Sequence, residues 1–212
     1  MFIDGEVITE QTILPKIHGK VKATAAELVE AMDGKLSFED RFLLGQSLEH
    51  YRHSVNQVEE ITVVIKQYVL ERFEREYNLL IELPGVSAIV ACVILSEIGP
   101  NVEAFKSQGN LASWAGVCPG SYESAGIKKS SHTTQGNKYL KSILFQAGGT
   151  AGRSKDEAFH NLYARISGRS SKMKAIIACA HKMIRVIYKI LSTGEHYDAK
   201  KALGLRQQAR AN

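Results

Sequence analysis

Residues 120–141, GSYESAGIKKSSHTTQGNKYLK, gather serine and threonine hydroxyls, small residues and four lysines (Lys128, Lys129, Lys138 and Lys141), with almost nothing that could build a core. A serine attacks phosphorus only when its hydroxyl is exposed, at least partly deprotonated and in line with the leaving oxygen. Lysines beside it offset charge on the phosphate and on the transition state. A flexible linker has much the same composition, so residue types alone leave both readings open. Gly136 and Asn137 then open a helix over 138–147, whose N-terminal end adds a dipole that favours anions. A second place suited to phosphate is the turn Gly168-Arg169-Ser170-Ser171, with Arg165, Arg169, Lys172 and Lys174 around it. The plain alternative there is a solvated basic turn.

No comparable set of metal ligands stands out. Beyond residue 90 the acids are Glu97, Glu103, Glu123, Asp156, Glu157, Glu195 and Asp198, and none is spaced as a ligand cluster. His50 and His53 are three apart on a helix but lack a third ligand. Cys92, Cys118 and Cys179 are odd in number and far apart, giving neither a disulfide framework nor a metal pair, as expected in the cytoplasm. Cys92 and Cys179 read as buried small hydrophobes. His181 reads as a packed core histidine, and Trp114 as the anchor of a short helix opened by Asn110.

Charge is divided unevenly. Residues 1–127 hold ten Lys/Arg and eighteen Asp/Glu, whereas residues 128–212 hold seventeen and four, a local balance of +13 within a chain of +5. That block suits a polyphosphate partner such as DNA. No apolar run approaches the roughly 18 residues of a membrane span, so no membrane partner is expected. The acidic opening MFIDGEVITE lacks the apolar core of a signal peptide.

The elements that must position these residues are mostly helical, and an all-α fold is expected. Residues 1–20 show no clear period. Residues 24–32 form a short helix closed by Asp33-Gly34, and Ser37 caps the next one with Asp40 three residues on. Along that helix Leu44, Leu48, Tyr51, Val55, Val58, Thr62, Ile65 and Val69 alternate spacings of four and three, a heptad seam. Such a stripe packs on the chain's own body or on an equivalent helix; a homo-oligomer through residues 44–69 is the expectation. Three regions follow: an irregular N-terminal segment (1–36), the long heptad helix (37–78) and a compact helical domain (79–212). Within the last, residues 156–166 and 171–191 are amphipathic helices.

Residues 79–99, LLIELPGVSAIVACVILSEIG, resemble a helix-hairpin-helix. In that motif a tight turn exposes backbone N–H groups that hold a DNA phosphate without reading sequence. Gly85 would allow the turn and the close approach, and Ser87 stands where a second glycine is usual and could cap the helix. A plain helical hairpin is the alternative. A glycosylase is disfavoured, because no aspartate follows Gly99-Pro100 and no lysine nucleophile stands near the hairpin.

A longer ordered string is more specific than any of these motifs. It runs Leu83-Pro84-Gly85, Glu97-Ile98-Gly99, Phe105-Lys106-Ser107, Leu111-Ala112-Ser113-Trp114-Ala115-Gly116, Pro119, Glu123-Ser124-Ala125-Gly126 and Gly136-Asn137-Lys138-Tyr139-Leu140-Lys141, and continues through residues 175–198. Over about residues 79–200 it resembles the C-terminal domain of bacterial insertion-sequence transposases of the "IS-one-ten" family. The resemblance implies a serine nucleophile, here Ser124, that cuts and rejoins DNA under the guidance of a bridge RNA from the element. Beside it, the residues themselves suggest nucleic-acid contacts: Gly85 and Ser87 at the hairpin turn, and Lys128, Lys129, Asn137, Lys138 and Lys141 around the serine and the helix start. Glu123 is a poor base for Ser124, since neighbours in an extended segment point apart.

Family members also carry an N-terminal ribonuclease-H-like domain with four acidic metal ligands. Residues 1–78 are too short for it, so the chain is expected to be a transposase lacking that domain, with no cofactor of its own and Mg²⁺ only where the nuclease half is present. A non-catalytic fragment that binds DNA or RNA, or joins full-length subunits, is the alternative.

Overall fold

A computed structural model describes residues 3, 6–34, 36–118, 120, 122–124, 127–130 and 133–208, with the backbone alone for 122–124, 127–130 and 205–208. The chain packs as two compact units, Met1–Ile61 and Thr62–Asn212. Among the described residues the fold is all-α apart from a short hairpin.

In the first unit, reciprocal caps define each start. Helix α1 (Glu10–Ile13) lies in the stretch expected to be irregular; Thr9 caps it by exchanging bonds with Thr12. After a 3₁₀ turn at Leu14–Lys16, α2 (Ala25–Ala31) opens on Thr24, whose backbone N–H donates to Glu27 Oε2 at 2.7 Å. Helix α3 (Phe38–Ile81) opens as expected on Ser37: Asp40 N–H donates to Ser37 Oγ at 3.0 Å, and Ser37 N–H donates back to Asp40 Oδ2. Each such cap satisfies N–H groups that have no partner within the helix.

Helix α3 runs 44 residues and is interrupted at Phe73, where φ −138° and ψ 33° leave the helical region. The heptad seam is open along most of its length: Tyr51 is 66% exposed and Val58 64%, whereas Val69 is 6% exposed. Only the end of the stripe enters a core.

That core belongs to the second unit. It is built by α4 (Ala88–Ile98), α5 (Gln108–Trp114), α6 (Lys138–Arg153), α7 (Glu157–Ser167) and α8 (Lys172–Thr193), and α9 (Ala199–Gln208) follows. Leu80, Leu83, Ile94, Leu111, Leu140, Leu144, Phe159, Met183, Ile184 and Ile187 are fully or almost fully buried. Each such side chain contributes about 1.5–3 kcal/mol over leaving it in water. Cys92 and Cys179 are buried among them, as their neighbours in sequence predict. Met173, in the first turn of α8, is exposed, whereas Met183 takes a place in the core.

The turn between α3 and α4 carries Gly85 at φ +83°, a conformation that side-chain-bearing residues avoid. A Cβ there would also strike the Ala147 carbonyl and come within 2.9 Å of Ala151 N on α6. Ser87 caps α4 as predicted, accepting from Val90 N–H at 3.4 Å. The cap of α5 is Ser107 rather than Asn110; Ser107 Oγ accepts from the Asn110 N–H and donates to its side-chain oxygen. Trp114 ends that helix tilted against Phe105, with ring centroids 5.4 Å apart.

Candidate active site and nucleic-acid interface

Between α5 and α6 the chain forms the two-stranded antiparallel hairpin β1 (Tyr122–Ser124) and β2 (Ile127–Ser130). Three- and four-residue strands leave no period that a sequence can show. Ser124, the predicted nucleophile, is the last residue of β1 and pairs with Ile127 across the hairpin. The side chains of Ser124, Lys128 and Lys129 lie outside the described residues, as do Ala125 and Gly126.

What the structure does describe is how the hairpin is rooted. Thr134 N–H donates to the Cys118 carbonyl at 3.1 Å, and Asn137 N–H donates to the Trp114 carbonyl at 3.0 Å. Between these bonds the backbones of Gly116 and Gly136 press together. A Cβ on Gly136 would collide with Gly116 N and with the Trp114 carbonyl, and Gly116 itself sits at φ +71°. Lys141 Nζ then reaches back from α6 to donate to the Thr134 carbonyl at 3.0 Å. Both ends of the excursion are thus locked to α5 and α6.

Asn137 is more occupied than its sequence role suggests. Its side-chain oxygen accepts from Tyr139 N–H (3.0 Å) and Leu140 N–H (2.9 Å), capping α6, while its amide nitrogen donates to Glu97 of α4. With both ends of the amide engaged by protein, Asn137 serves as a structural clamp. Lys141 likewise fixes the root. Lys138 is exposed, its ammonium 4.9 Å from the centre of the Tyr139 ring, which is also exposed. At the α3–α4 turn, packing against α6 already accounts for Gly85, and Val86 N–H is taken by the Leu83 carbonyl at 3.1 Å. Ser87 is exposed beside them.

At the second predicted site, Ser171 caps α8 by accepting from Lys174 N–H at 3.3 Å. Arg169, Lys172 and Lys174 are exposed on this turn. Arg165 is not part of that surface: it lines a cavity together with residues of α8 and α9, and its Nε is buried without a hydrogen-bond partner. His181 lines the same cavity and is half-buried, where the sequence suggested a core position.

Sequence reasoning missed a set of contacts that join distant segments. Asp156 caps α7 through one oxygen, accepting from Phe159 N–H at 3.1 Å, and through the other accepts from Tyr197 Oη at 2.9 Å. Burial, and next the bond to Asp156, push the Tyr197 phenol far above its ordinary range. Glu82, just past α3, accepts from His196 Nδ1 (2.7 Å) and Tyr197 N–H (3.2 Å), which holds the chain after α8. Tyr188 Oη donates to the Phe105 carbonyl, and Arg185 Nε donates to Gln108 Oε1 at 3.2 Å. These partners are 77 to 115 residues apart for all but the Asp156 pair, so no local pattern announces them. Among the described residues, no group of three or more His, Cys, Asp or Glu is arranged to hold a metal ion, and no helix is long and apolar enough to cross a membrane.

Against known proteins, residues 77–164 match the family described as "Transposase IS116/IS110/IS902 family". The chain is similar to a "Putative transposase y4pF/y4sB" of Sinorhizobium fredii, 31% identical over 70% of this chain and 39% of that protein. It is also similar to the "Insertion element IS110 uncharacterized 43.6 kDa protein" of Streptomyces coelicolor (28%, covering 62% and 32%). A "Pilin gene-inverting protein" of Moraxella lacunata is 27% identical over 72% of the chain and 48% of that protein. The chain thus spans a third to a half of the length of these relatives.

Proposed function

Residues 77–164 are a transposase domain of the IS116/IS110/IS902 family, and on that premise we propose that this chain is the DNA-binding, serine-bearing part of an insertion-sequence recombinase. In this reading Ser124 Oγ attacks a DNA phosphodiester. The oxygen–phosphorus bond to serine forms as the phosphorus–oxygen bond to one side of the strand breaks; the departing strand end takes up a proton and the serine loses one. The supporting observation is the rooting of the hairpin that carries Ser124. A nucleophile must be held in line with its leaving group, and misplacement by about 1 Å costs about a hundredfold in rate. Two backbone hydrogen bonds, a glycine–glycine contact and the Lys141 bond fix the two ends of the segment that carries Ser124, which supports this reading.

DNA is the proposed partner, gripped by Lys128, Lys129 and Lys138 around the hairpin and by Arg169, Lys172 and Lys174 at the start of α8, with the Gly85–Ser87 turn as a further backbone contact. A guide RNA from the element is proposed as the source of target choice, and self-association through the seam of α3 as the means of pairing two DNA ends. Among the described residues no group of three or more His, Cys, Asp or Glu is arranged for Mg²⁺. Metal chemistry would come from the acidic nuclease domain that the family resemblance implies.

The test combines this chain with such a nuclease domain, element ends, guide RNA and magnesium. Ser124→Ala should abolish the covalent DNA–protein adduct while DNA affinity stays within twofold; an unchanged adduct would remove the catalytic role. A second reading, a non-catalytic product that joins full-length subunits, is favoured by the open seam of α3. It is separated from the first by mixing the chain with a full-length relative: it predicts inhibition of recombination that Ser124→Ala does not relieve.

A further inference from the structure

We propose that the cavity between α7 and α8, bordered by α9, is a phosphate-binding site in which Arg165, Lys182 and Arg185 hold a phosphate group beside His181. It is separate from the exposed turn before α8 and does not depend on any chemistry at Ser124. The cavity measures about 430 Å³, enough for a nucleotide-sized group, and its lining carries these four basic side chains and no carboxylate. Leu162 and Leu203 supply an apolar wall.

Cations gathered in a partly enclosed space repel one another and lose hydration, a cost normally met by a facing carboxylate or by an incoming anion. Asp156 offsets part of the Lys182 charge but does not line the cavity, and its two oxygens accept from the α7 cap and from Tyr197. Burial lowers the Lys182 ammonium below its ordinary range, and burial together with the Arg185 charge keeps the His181 imidazole below its own. Arg165 carries the most direct sign, since its buried Nε has no acceptor. An N–H in that position lacks a partner that the rest of the fold supplies almost everywhere else.

The donor types at the cavity suit phosphate better than carboxylate. Lys182 is steered by donating one proton to the Ala158 carbonyl at 2.9 Å, and Arg185 is steered by its Nε bond to Gln108. Two guanidinium forks and an ammonium match several oxygens carrying more than one charge, as on phosphate. That phosphate can belong to a nucleic-acid strand or to a free anion.

The experiment uses the intact chain with labelled histidine, following the His181 imidazole signals by NMR during titration with a deoxydinucleotide and, separately, with inorganic phosphate. Saturable movement of those signals, with a rise in the His181 pKa as the anion arrives, is the expected result. Response to the dinucleotide alone identifies a strand phosphate, and response to inorganic phosphate alone identifies a free anion; either supports the site. Arg165→Met should weaken the responding probe at least tenfold while leaving Tm unchanged or higher, because it removes an unpartnered buried donor. If neither probe moves the His181 signals, or if folded Arg165→Met binds like the parent, the proposal is overturned. Should that variant not fold, the parent titration alone decides.

Discussion

Asn137 shows how far a residue's chemistry can be redirected by its surroundings. Its type and its place at a helix start suit a phosphate contact, yet its amide is divided between the α6 cap and Glu97. Asn137→Ala should therefore act on stability: losing the cap costs about 1–2 kcal/mol, a fall of about 2–8 °C in Tm for a chain of this size. DNA affinity measured at a temperature where the variant is folded should stay within twofold. A tenfold loss of affinity without a change in Tm would restore the phosphate role. Glu82 is the residue where pH enters. Its carboxyl is held below the ordinary value of 4.5 chiefly by the hydrogen bond from His196. A carboxylate depressed in the folded state stabilises above its unfolded pKa, and that contribution is lost as pH falls through the folded value. Glu82→Gln should lower Tm near neutral pH and flatten its decline below about pH 4.5, as followed by thermal melts across pH 3–7 (roughly the span of carboxylate titration). A parallel decline in variant and parent would count against this latch.

At the level of elements, α3 presents an apolar seam to solvent over most of residues 44–65, with Val58 and Ile65 both well exposed. A contiguous apolar stripe on a helix is normally covered. Val58→Glu with Ile65→Glu should convert an associating chain to a monomer in sedimentation velocity runs, without lowering the helical signal of the second unit. A parent that already sediments as a monomer at its highest soluble concentration would refute the seam. The same helix marks what sequence can and cannot convey. The starts of α2, α3 and α4 were legible because Thr24, Ser37 and Ser87 act on N–H groups three residues away. Ser124 stands out from the other serines only through the long ordered string around it. The strands that carry it were not legible, because their pairing follows from closure of the root between residues 114 and 137, a non-local event. The Glu97–Asn137 clamp and the Arg165–His181–Lys182–Arg185 cavity escaped for the same reason. Each lies where separate helices meet, and helical periodicity says which side of a helix is apolar, not which polar residue another helix will bring to it.

For the molecule as a whole, the uneven charge predicts where nucleic acid settles. Residues 128–212 carry +13, and the exposed cations Lys138, Arg169, Lys172 and Lys174 all belong to them. Binding to a short DNA duplex should weaken linearly in log–log terms as salt rises. Each Ala substitution among Arg169, Lys172 and Lys174 should reduce the slope by about 1. A slope that none of the three alters would place the DNA elsewhere. The rooting of the serine hairpin has one more consequence, and it concerns how such a protein can change. Because Cys118 and Thr134 already sit side by side, the segment between them is an excursion that begins and ends at one point. Its length and sequence can be altered with little effect on chain closure, since loop entropy grows only slowly with length. The helical body then serves as a socket, and the segment between as a plug whose replacement leaves in place the contacts that hold its ends.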